Sequence, residues 1–181
     1  DGNGRWGRKK NKSRNFGHLR GLDTVKTTVK DLIKLKIPIA TFYVFSSENW
    51  KRPKNEIVFL FKLIKKYFVE EIKRVISQGV KVNILGEINK LPKDVQLILK
   101  DAEKLTKKNK KIIVNLAINY GSRNEMIYAI KKLKKISIRN IEKNLYTKNL
   151  PNPDILIRTG GYKRLSNFML WQLSYSELFF I

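Results

Sequence analysis

The first six residues, Asp1-Gly2-Asn3-Gly4-Arg5-Trp6, combine residue types that suit phosphate chemistry. Glycines let the backbone turn tightly and bring its N–H groups close to a ligand. An arginine offers a planar fork of donors for phosphate oxygens, and an aspartate is a ligand that Mg²⁺ accepts beside phosphates and water. We interpret this segment as a phosphate-binding loop with a metal-binding acid. The alternative is a polar terminus without function, because the segment matches neither a Walker A motif nor a dinucleotide fingerprint.

Several arginines lie in or beside segments rich in glycine, serine or asparagine. They are Arg5 of the opening segment and, later in the chain, Arg14, Arg52, Arg158 and Arg164. Arginines gathered on one rim would repel one another without an anion, so a polyanionic ligand is implied, such as two diphosphates or a diphosphate and a metal-bound one. Acids suited to Mg²⁺ are Asp1 and Glu177, and neutral hydrogen-bonding groups are Ser46, Asn49 and Ser166.

His18 is the single histidine of the chain. A lone histidine is more often structural than catalytic. Its neighbours Arg14 and Gly17 nevertheless make a phosphate contact a reasonable expectation.

Composition bounds the function classes. The 181 residues suit one domain, and the absence of cysteine excludes disulfides and thiolate metal sites. Within these residues we expect no signal peptide, and no apolar run of about 18 residues predicts a transmembrane helix. The chain begins on a motif and ends on a strand-like apolar run at 178–181, so we expect that both ends are trimmed.

The formal net charge of +24 invites a nucleic-acid or anionic-membrane partner. The alternative is a lysine-rich surface, since lysine, asparagine and isoleucine are all abundant. Non-specific nucleic-acid binding needs basic residues interleaved with stacking aromatics, and the aromatics here lie mainly in apolar patterns. We therefore expect no nucleic-acid partner.

Hydrophobic periodicity predicts alternating strands and helices. The predicted helices are 18–36, 55–78, 91–108, 124–135 and a weaker segment at 136–150. The predicted strands are 39–45, 80–85, 112–118 and 155–157. This alternation predicts an α/β fold: a single domain with a mostly parallel central sheet flanked by helices, and polar motifs converging at one edge. The 55–78 helix has more apolar surface than an amphipathic helix needs, which suits core, a dimer contact or the wall of an apolar cavity.

Seven motifs in order give the chain a resemblance to the cis-prenyltransferases, the undecaprenyl and dehydrodolichyl diphosphate synthases. They are Asp-Gly-Asn-Gly-Arg-Trp at 1–6, Phe-Gly-His at 16–18, Phe-Ser-Ser-Glu-Asn-Trp-Lys-Arg-Pro at 45–53, Asn-Tyr-Gly-Ser-Arg at 119–123, Arg-Thr-Gly-Gly at 158–161, Arg-Leu-Ser-Asn-Phe at 164–168 and Trp-Gln-Leu-Ser-Tyr-Ser-Glu-Leu at 171–178. The resemblance covers essentially the whole chain, 1–181, as one catalytic domain. It implies Mg²⁺-dependent condensation of isopentenyl diphosphate onto an allylic diphosphate, typically farnesyl diphosphate, with Z double bonds. The implied product is a long-chain polyprenyl diphosphate for dolichol- or undecaprenol-type carrier lipids.

The resemblance also assigns roles to matching residues. Catalytic roles go to Asp1, with Asn49 and Ser46 assisting proton removal. The allylic diphosphate site takes Gly2, Asn3, Gly4, Arg5, Trp6, Arg14, His18 and Phe45. The isopentenyl diphosphate site takes Trp50, Arg52, Arg158, Arg164 and Ser166. The metal would be held by Asp1 and by Glu177 of the neighbouring subunit.

These assignments imply a homodimer, with a heteromeric accessory subunit and peripheral membrane contact as further options. The expected location is the cytoplasm or the surface of a membrane, that of the endoplasmic reticulum in a eukaryote.

The chain departs from the family pattern in a few places. The resemblance implies a strand before the opening motif and a tail after the final strand, both of which we expect to be missing from this sequence, and the segment 136–150 looks short. Lys163 stands where relatives often have histidine. One rival class, a non-catalytic partner subunit, tends to lose the opening motif, which is intact here. The trans-type synthases carry an Asp-Asp-x-x-Asp motif, and no two aspartates are adjacent in this chain.

Overall fold

The computed structural model describes residues 1–181 as an α/β domain. The helices are α1 (Asn3–Lys9), α2 (Arg14–Lys34), α3 (Lys54–Ser77), α4 (Lys93–Thr106), α5 (Ser122–Ile130) and α6 (Ile138–Glu142). The strands are β1 (Ile39–Ser46), β2 (Val80–Leu85), β3 (Ile112–Tyr120), β4 (Ile155–Arg158) and β5 (Glu177–Phe180). Short 3₁₀ turns lie at Ser47–Lys51 and Ile88–Lys90. The predicted fold class is confirmed.

The strands form two parallel sheets rather than one. A three-stranded sheet has the order β1-β3-β2, and a second sheet pairs β4 with β5. The central strand β3 is mostly buried, as expected when both faces of a parallel sheet are covered. An amide ladder crosses the first sheet: Asn83 donates to Asn115 at 2.9 Å, and Asn115 donates to Thr41 at 3.0 Å. This ladder satisfies an amide that is almost completely buried and fixes the register of the three strands.

The opening segment is a helix, so its interpretation as a loop was wrong. Gly2 adopts a left-handed conformation with φ of 74° and serves as the N-cap of α1. Helix α1 lies directly on α2, where a Cβ on Gly17 would come within 1.9 Å of the Asn3 carbonyl oxygen. Only glycine permits this approach, and it places residues 1–6 against the first turns of α2.

The apolar stripe of α3 is core, whereas the apolar surplus beyond that stripe is not buried. The buried residues of the stripe are Ile57, Phe61, Phe68 and Val75, and the surplus residues Phe59 and Leu63 are half-buried outside the core cluster. Val58 and Val69 stay exposed, and an apolar cleft of about 160 Å³ lies between α3 and α4.

The end of the chain is anchored by a buried carboxylate. Glu125 is fully buried and accepts from the Tyr120 hydroxyl at 2.5 Å, from the Tyr146 amide at 2.8 Å and from Gln172 at 3.1 Å. Three donors compensate the burial of this group. The network holds residues 169–175, which form turns, against the three-stranded sheet. The weak helical segment at 136–150 shortens to α6 followed by turns.

None of the helices is both long and apolar enough to cross a bilayer.

Candidate active site

The ends of the chain meet at Asp1 and Arg158. Arg158 donates to Asp1 Oδ2 from Nε at 3.1 Å and from Nη2 at 2.8 Å. Its Nη1 donates to Ser166 Oγ at 2.9 Å and also to the carbonyl oxygen of Arg164. The Arg158 side chain is only 11% exposed and donates four hydrogen bonds to acceptors within the protein. It fixes the carboxylate of Asp1 and the loop that carries Arg164 in one arrangement.

Two more arginines surround Tyr162 in the same region. The guanidinium carbons of Arg5 and Arg164 lie 4.2 Å and 4.3 Å from the centre of the Tyr162 ring, and that of Arg158 lies 6.0 Å away. Arg5 also donates to the carbonyl oxygen of Gly160 at 3.2 Å. Three arginines therefore lie around one tyrosine ring, and only Arg158 among them pairs with the Asp1 carboxylate, so the local charge is positive.

A second basic group is organised by Glu56, near the start of α3. Arg14 Nη1 donates to Glu56 Oε2 at 3.0 Å, and Arg52 Nη1 donates to Oε1 at 3.1 Å. His18 Nε2 lies 3.0 Å from Oε1. The Glu56 side chain is 6% exposed, while the two arginines are about one-third exposed. We call Glu56 and its three partners the Glu56 cluster.

The protonation states in the Glu56 cluster follow from its environment. Burial opposes ionisation of Glu56, but hydrogen bonds from His18 and Arg14 and the arginine charges outweigh burial and lower its pKa. Burial and the nearby arginines lower the pKa of His18, and Glu56 only partly offsets this effect. Near neutral pH the cluster therefore holds an ionised Glu56 and a neutral His18.

Helix α1 joins the two groups. A Cβ on Gly4 would lie 3.4 Å from Arg14 and 3.6 Å from His18 Nε2, so the backbone of α1 covers these side chains. The amide of Asn3 packs on Gly21 of α2. Trp6 is 44% exposed and stacks on Phe16, with ring centres 6.1 Å apart.

The end of β1 leads into the 3₁₀ turn. The Ser46 amide donates to Asn49 Oδ1 at 3.2 Å, so the Asn49 side chain caps this turn. Trp50 donates to Asn119 Oδ1 at 2.8 Å and packs edge-on against Phe45, with ring centres 5.4 Å apart. Phe45 is 1% exposed and belongs to the core.

The loop that carries Ser166 is held in an unusual backbone conformation. Ser166 and Asn167 have φ of 50° and 61°, in the left-handed region that few residues other than glycine adopt. Hydrogen bonds to the start of α5 stabilise it: Ser122 N donates to the Asn167 carbonyl at 2.8 Å, and Arg123 N donates to Asn167 Oδ1 at 2.9 Å. A cleft of about 390 Å³ opens beside it, lined by Glu48, Arg123, Leu165, Ser166, Asn167 and Leu170.

Glu177 lies apart from Asp1 within the chain. It begins β5 opposite Ile155, whereas Arg158, the partner of Asp1, pairs with Phe180 at the other end. Three residues of strand separate the two positions, which is about 10 Å at about 3.3 Å per residue. No group of three or more metal-ligating side chains occurs in the structure.

The sequence interpretation missed two residues at this site. Glu56 had a usable feature, because it follows Arg52 at the i, i+4 spacing that favours a helical ion pair. No feature of the sequence pointed to Tyr162, because the partner of an aromatic residue in a glycine-rich basic loop is not defined before the fold is known.

Comparisons with known proteins were made for the whole chain. A family model described as "Putative undecaprenyl diphosphate synthase" matches residues 1–181. The isoprenyl transferases of Oceanobacillus iheyensis and Rickettsia felis are each 42% identical to the chain; the matches cover 99% of it and 76% and 79% of those proteins.

Two solved structures share the fold. Lavandulyl diphosphate synthase from Lavandula x intermedia, in complex with dimethylallyl diphosphate, matches with a TM-score of 0.95 and 30% identity, covering 100% of this chain and 83% of that one. A "probable undecaprenyl diphosphate synthase" from Campylobacter jejuni matches with a TM-score of 0.80 and 36% identity, covering 89% and 78%. The similarity thus extends to both sequence and fold.

Proposed function

Since this chain belongs to the undecaprenyl diphosphate synthase family of prenyltransferases, we propose that it condenses isopentenyl diphosphate onto an allylic diphosphate, with farnesyl diphosphate as the primer. The allylic C–O bond breaks, a C–C bond forms to the isopentenyl unit, and that unit loses a proton. Repetition of this step gives a long-chain polyprenyl diphosphate of the dolichol or undecaprenol type.

One observation carries the proposal: basic side chains from distant segments converge around α1. Arg158 pairs with Asp1, Arg5 and Arg164 lie over the neighbouring Tyr162 ring, and Arg14 and Arg52 pair with Glu56. Like charges held together need a counter-anion, and diphosphates supply several negative charges in a compact group.

We assign the allylic diphosphate to the side of α1 that faces the Glu56 cluster. The Arg14 side chain is 38% exposed and donates to Glu56 only through Nη1, so other N–H groups of its guanidinium remain for a ligand. His18 and the backbone at Gly4 adjoin Arg14. The lavandulyl diphosphate synthase with the same fold was solved in complex with dimethylallyl diphosphate, itself an allylic diphosphate.

We assign isopentenyl diphosphate to the side of Arg164 and Ser166, beside the larger cleft. Arg164 is exposed and its guanidinium is free to bind an anion, whereas Arg158 acts by holding Asp1 and Ser166. Arg52 shares Glu56 with Arg14, so the two diphosphates would meet near Arg52. Asn49 and Ser46, at the end of β1, would assist proton removal from the isopentenyl unit.

The residues present fit Mg²⁺. Mg²⁺ is usually bound by one or two carboxylates together with substrate phosphates and water, rather than by an all-protein cage. Asp1 is 46% exposed and offers one such carboxylate, with a second from Glu177 of a neighbouring subunit. When bound, Mg²⁺ would neutralise charge on the diphosphate that leaves. Arg158 meanwhile keeps the Asp1 carboxylate oriented towards the arginines.

A homodimer is supported by an apolar surface on the small sheet. Ile155 and Ile157 on β4 and Leu178 and Phe179 on β5 are 42–62% exposed. A second copy would cover these side chains. It would also supply the Glu177 that lies too far from Asp1 within one chain.

The direct test is incorporation of labelled isopentenyl diphosphate. We expect Mg²⁺-dependent incorporation with farnesyl diphosphate, weaker incorporation with dimethylallyl diphosphate, and loss of activity with a chelator. No incorporation with any allylic primer would overturn the proposed function. Incorporation that persists in excess chelator would overturn only the role of the metal. Chromatography of the products would give their chain length.

A further inference from the structure

We infer that Tyr162 is a positioning residue that holds one arginine of each diphosphate site in its binding-competent arrangement. The family resemblance assigns Arg5 to the allylic diphosphate, and Arg164 belongs to the proposed isopentenyl site. The guanidinium carbons of both arginines lie within 4.3 Å of the centre of one tyrosine ring. The ring is the shared contact between the two sites.

The physical basis is the electrostatics of the aromatic face. An aromatic ring carries negative charge density on its faces, and it attracts a guanidinium placed over it. Two arginines with no anion between them would otherwise separate into solvent. Tyr162 therefore offers a neutral contact that keeps two like charges close before any substrate binds.

Stacking leaves the arginines free to bind phosphate. A guanidinium stacks through its flat face, while its N–H donors point outward in the plane of the group. Arg5 uses one Nη2 donor on the Gly160 carbonyl at 3.2 Å, and its other donors remain available. The arginines can thus bind oxygens without leaving the ring.

The glycine pair before Tyr162 brings the ring into place. Gly160 and Gly161 have φ of 94° and 77°, values that side-chain-bearing residues rarely adopt. A Cβ on Gly160 would lie 2.9 Å from the Asp1 carbonyl oxygen. The loop therefore passes tightly over Asp1 before Tyr162, which remains 41% exposed at the mouth of the site.

This inference rests on the proposed function for the identity of the two sites, but a binding measurement can test it alone. Tyr162→Phe keeps the ring and removes the hydroxyl, and Tyr162→Leu removes the ring. Without the ring, each arginine must be immobilised when an anion binds, which costs a factor of about 2 to 10 per side chain. We expect titration with inorganic pyrophosphate to show affinity within about twofold of wild type for Tyr162→Phe, and roughly 2- to 10-fold weaker binding at each site for Tyr162→Leu.

Steady-state kinetics should separate positioning from general stability. In Tyr162→Leu the Michaelis constants for both diphosphates should rise while kcat stays near the wild-type value, and Tyr162→Trp should restore them. Circular dichroism checks the fold of each variant, and Tyr162→Met replaces Tyr162→Leu if the latter does not fold.

Pyrophosphate affinity in the ringless variant equal to that of wild type or of Tyr162→Phe would overturn the inference. So would a fall in kcat with unchanged Michaelis constants, or a wild-type protein that does not bind pyrophosphate. A wild-type protein that binds pyrophosphate but incorporates no isopentenyl unit would overturn the proposed function and leave the ring effect on binding to be decided by the titration.

Discussion

Replacement of Glu56 by glutamine should loosen the allylic side of the site at a measurable cost in stability. Glutamine keeps the shape of the side chain, but one of its two terminal atoms becomes a donor. Arg14 contacts Oε2, whereas His18 and Arg52 contact Oε1, so at least one donor must face the new amide N–H₂ group. The two arginines also lose their common counter-charge.

The magnitude follows from the burial of the groups. A hydrogen bond to a charged partner contributes about 1.5–3 kcal/mol, and removing one partner of a buried ion pair costs about 3–5 kcal/mol. Because the Arg14 and Arg52 side chains are 38% and 34% exposed, the lower range applies, and we expect a loss of about 2 kcal/mol. For a chain of this length, that corresponds to a melting temperature lower by roughly 4–8 °C.

The assay combines urea denaturation with steady-state kinetics. The Michaelis constant for the allylic diphosphate should rise, because Arg14 and His18 lose the group that orients them. Glu71→Gln is the matched control: Glu71 lies on the same helix and pairs with Lys26 at 2.6 Å, remote from the site. It should lower stability without changing the Michaelis constant. A Glu56→Gln variant as stable and as active as wild type would refute the role assigned to the cluster.

Three other predictions concern pH, packing and assembly. The folded-state pKa of His18 lies below the unfolded value of 6.5, so the contribution of neutral His18 to stability is complete above that pH and is lost as the pH falls. The free energy of unfolding should therefore decline below about pH 6.5. The decline should be smaller in His18→Gln. Gly17→Ala should destabilise the fold by about 1–3 kcal/mol or more, because the new Cβ would lie 1.9 Å from the Asn3 carbonyl oxygen. An unchanged melting temperature in thermal unfolding would contradict the close packing of α1 on α2. Mixed dimers of Asp1→Ala and Glu177→Ala, purified through two tags, should regain up to about half the wild-type activity because one of two shared sites is whole; inactive mixed dimers would exclude the shared site.

The fold was largely predictable because its elements have simple periodicity. The β-rich run at 39–45 and the one at 80–85 are bounded by clear breaks, and both appear as parallel strands. The division into two sheets was not predictable, since strand pairing depends on contacts between distant segments. Helix α1 was missed because two glycines within six residues favour a loop, and its stability comes from packing on glycines of α2.

The site was predictable as a set of residues but not as an arrangement. The opening motif and the later arginines indicated a polyanion, and family membership is confirmed. The sequence could not show that Arg158 donates hydrogen bonds to Asp1 and Ser166, or that Arg52 contacts Glu56 together with Arg14 and His18. These partners lie far apart in the chain and meet only through the packing of α1, α2 and β4.

The central claim, two separate diphosphate sites with different arginines, is tested most directly by the Michaelis constants of two arginine variants. Loss of a charged, bidentate contact should cost about 2–3 kcal/mol, or roughly two decades in affinity. Arg164→Ala should raise the Michaelis constant for isopentenyl diphosphate far more than that for farnesyl diphosphate, and Arg14→Ala should do the reverse. Equal increases for both substrates in both variants would contradict the division into two sites.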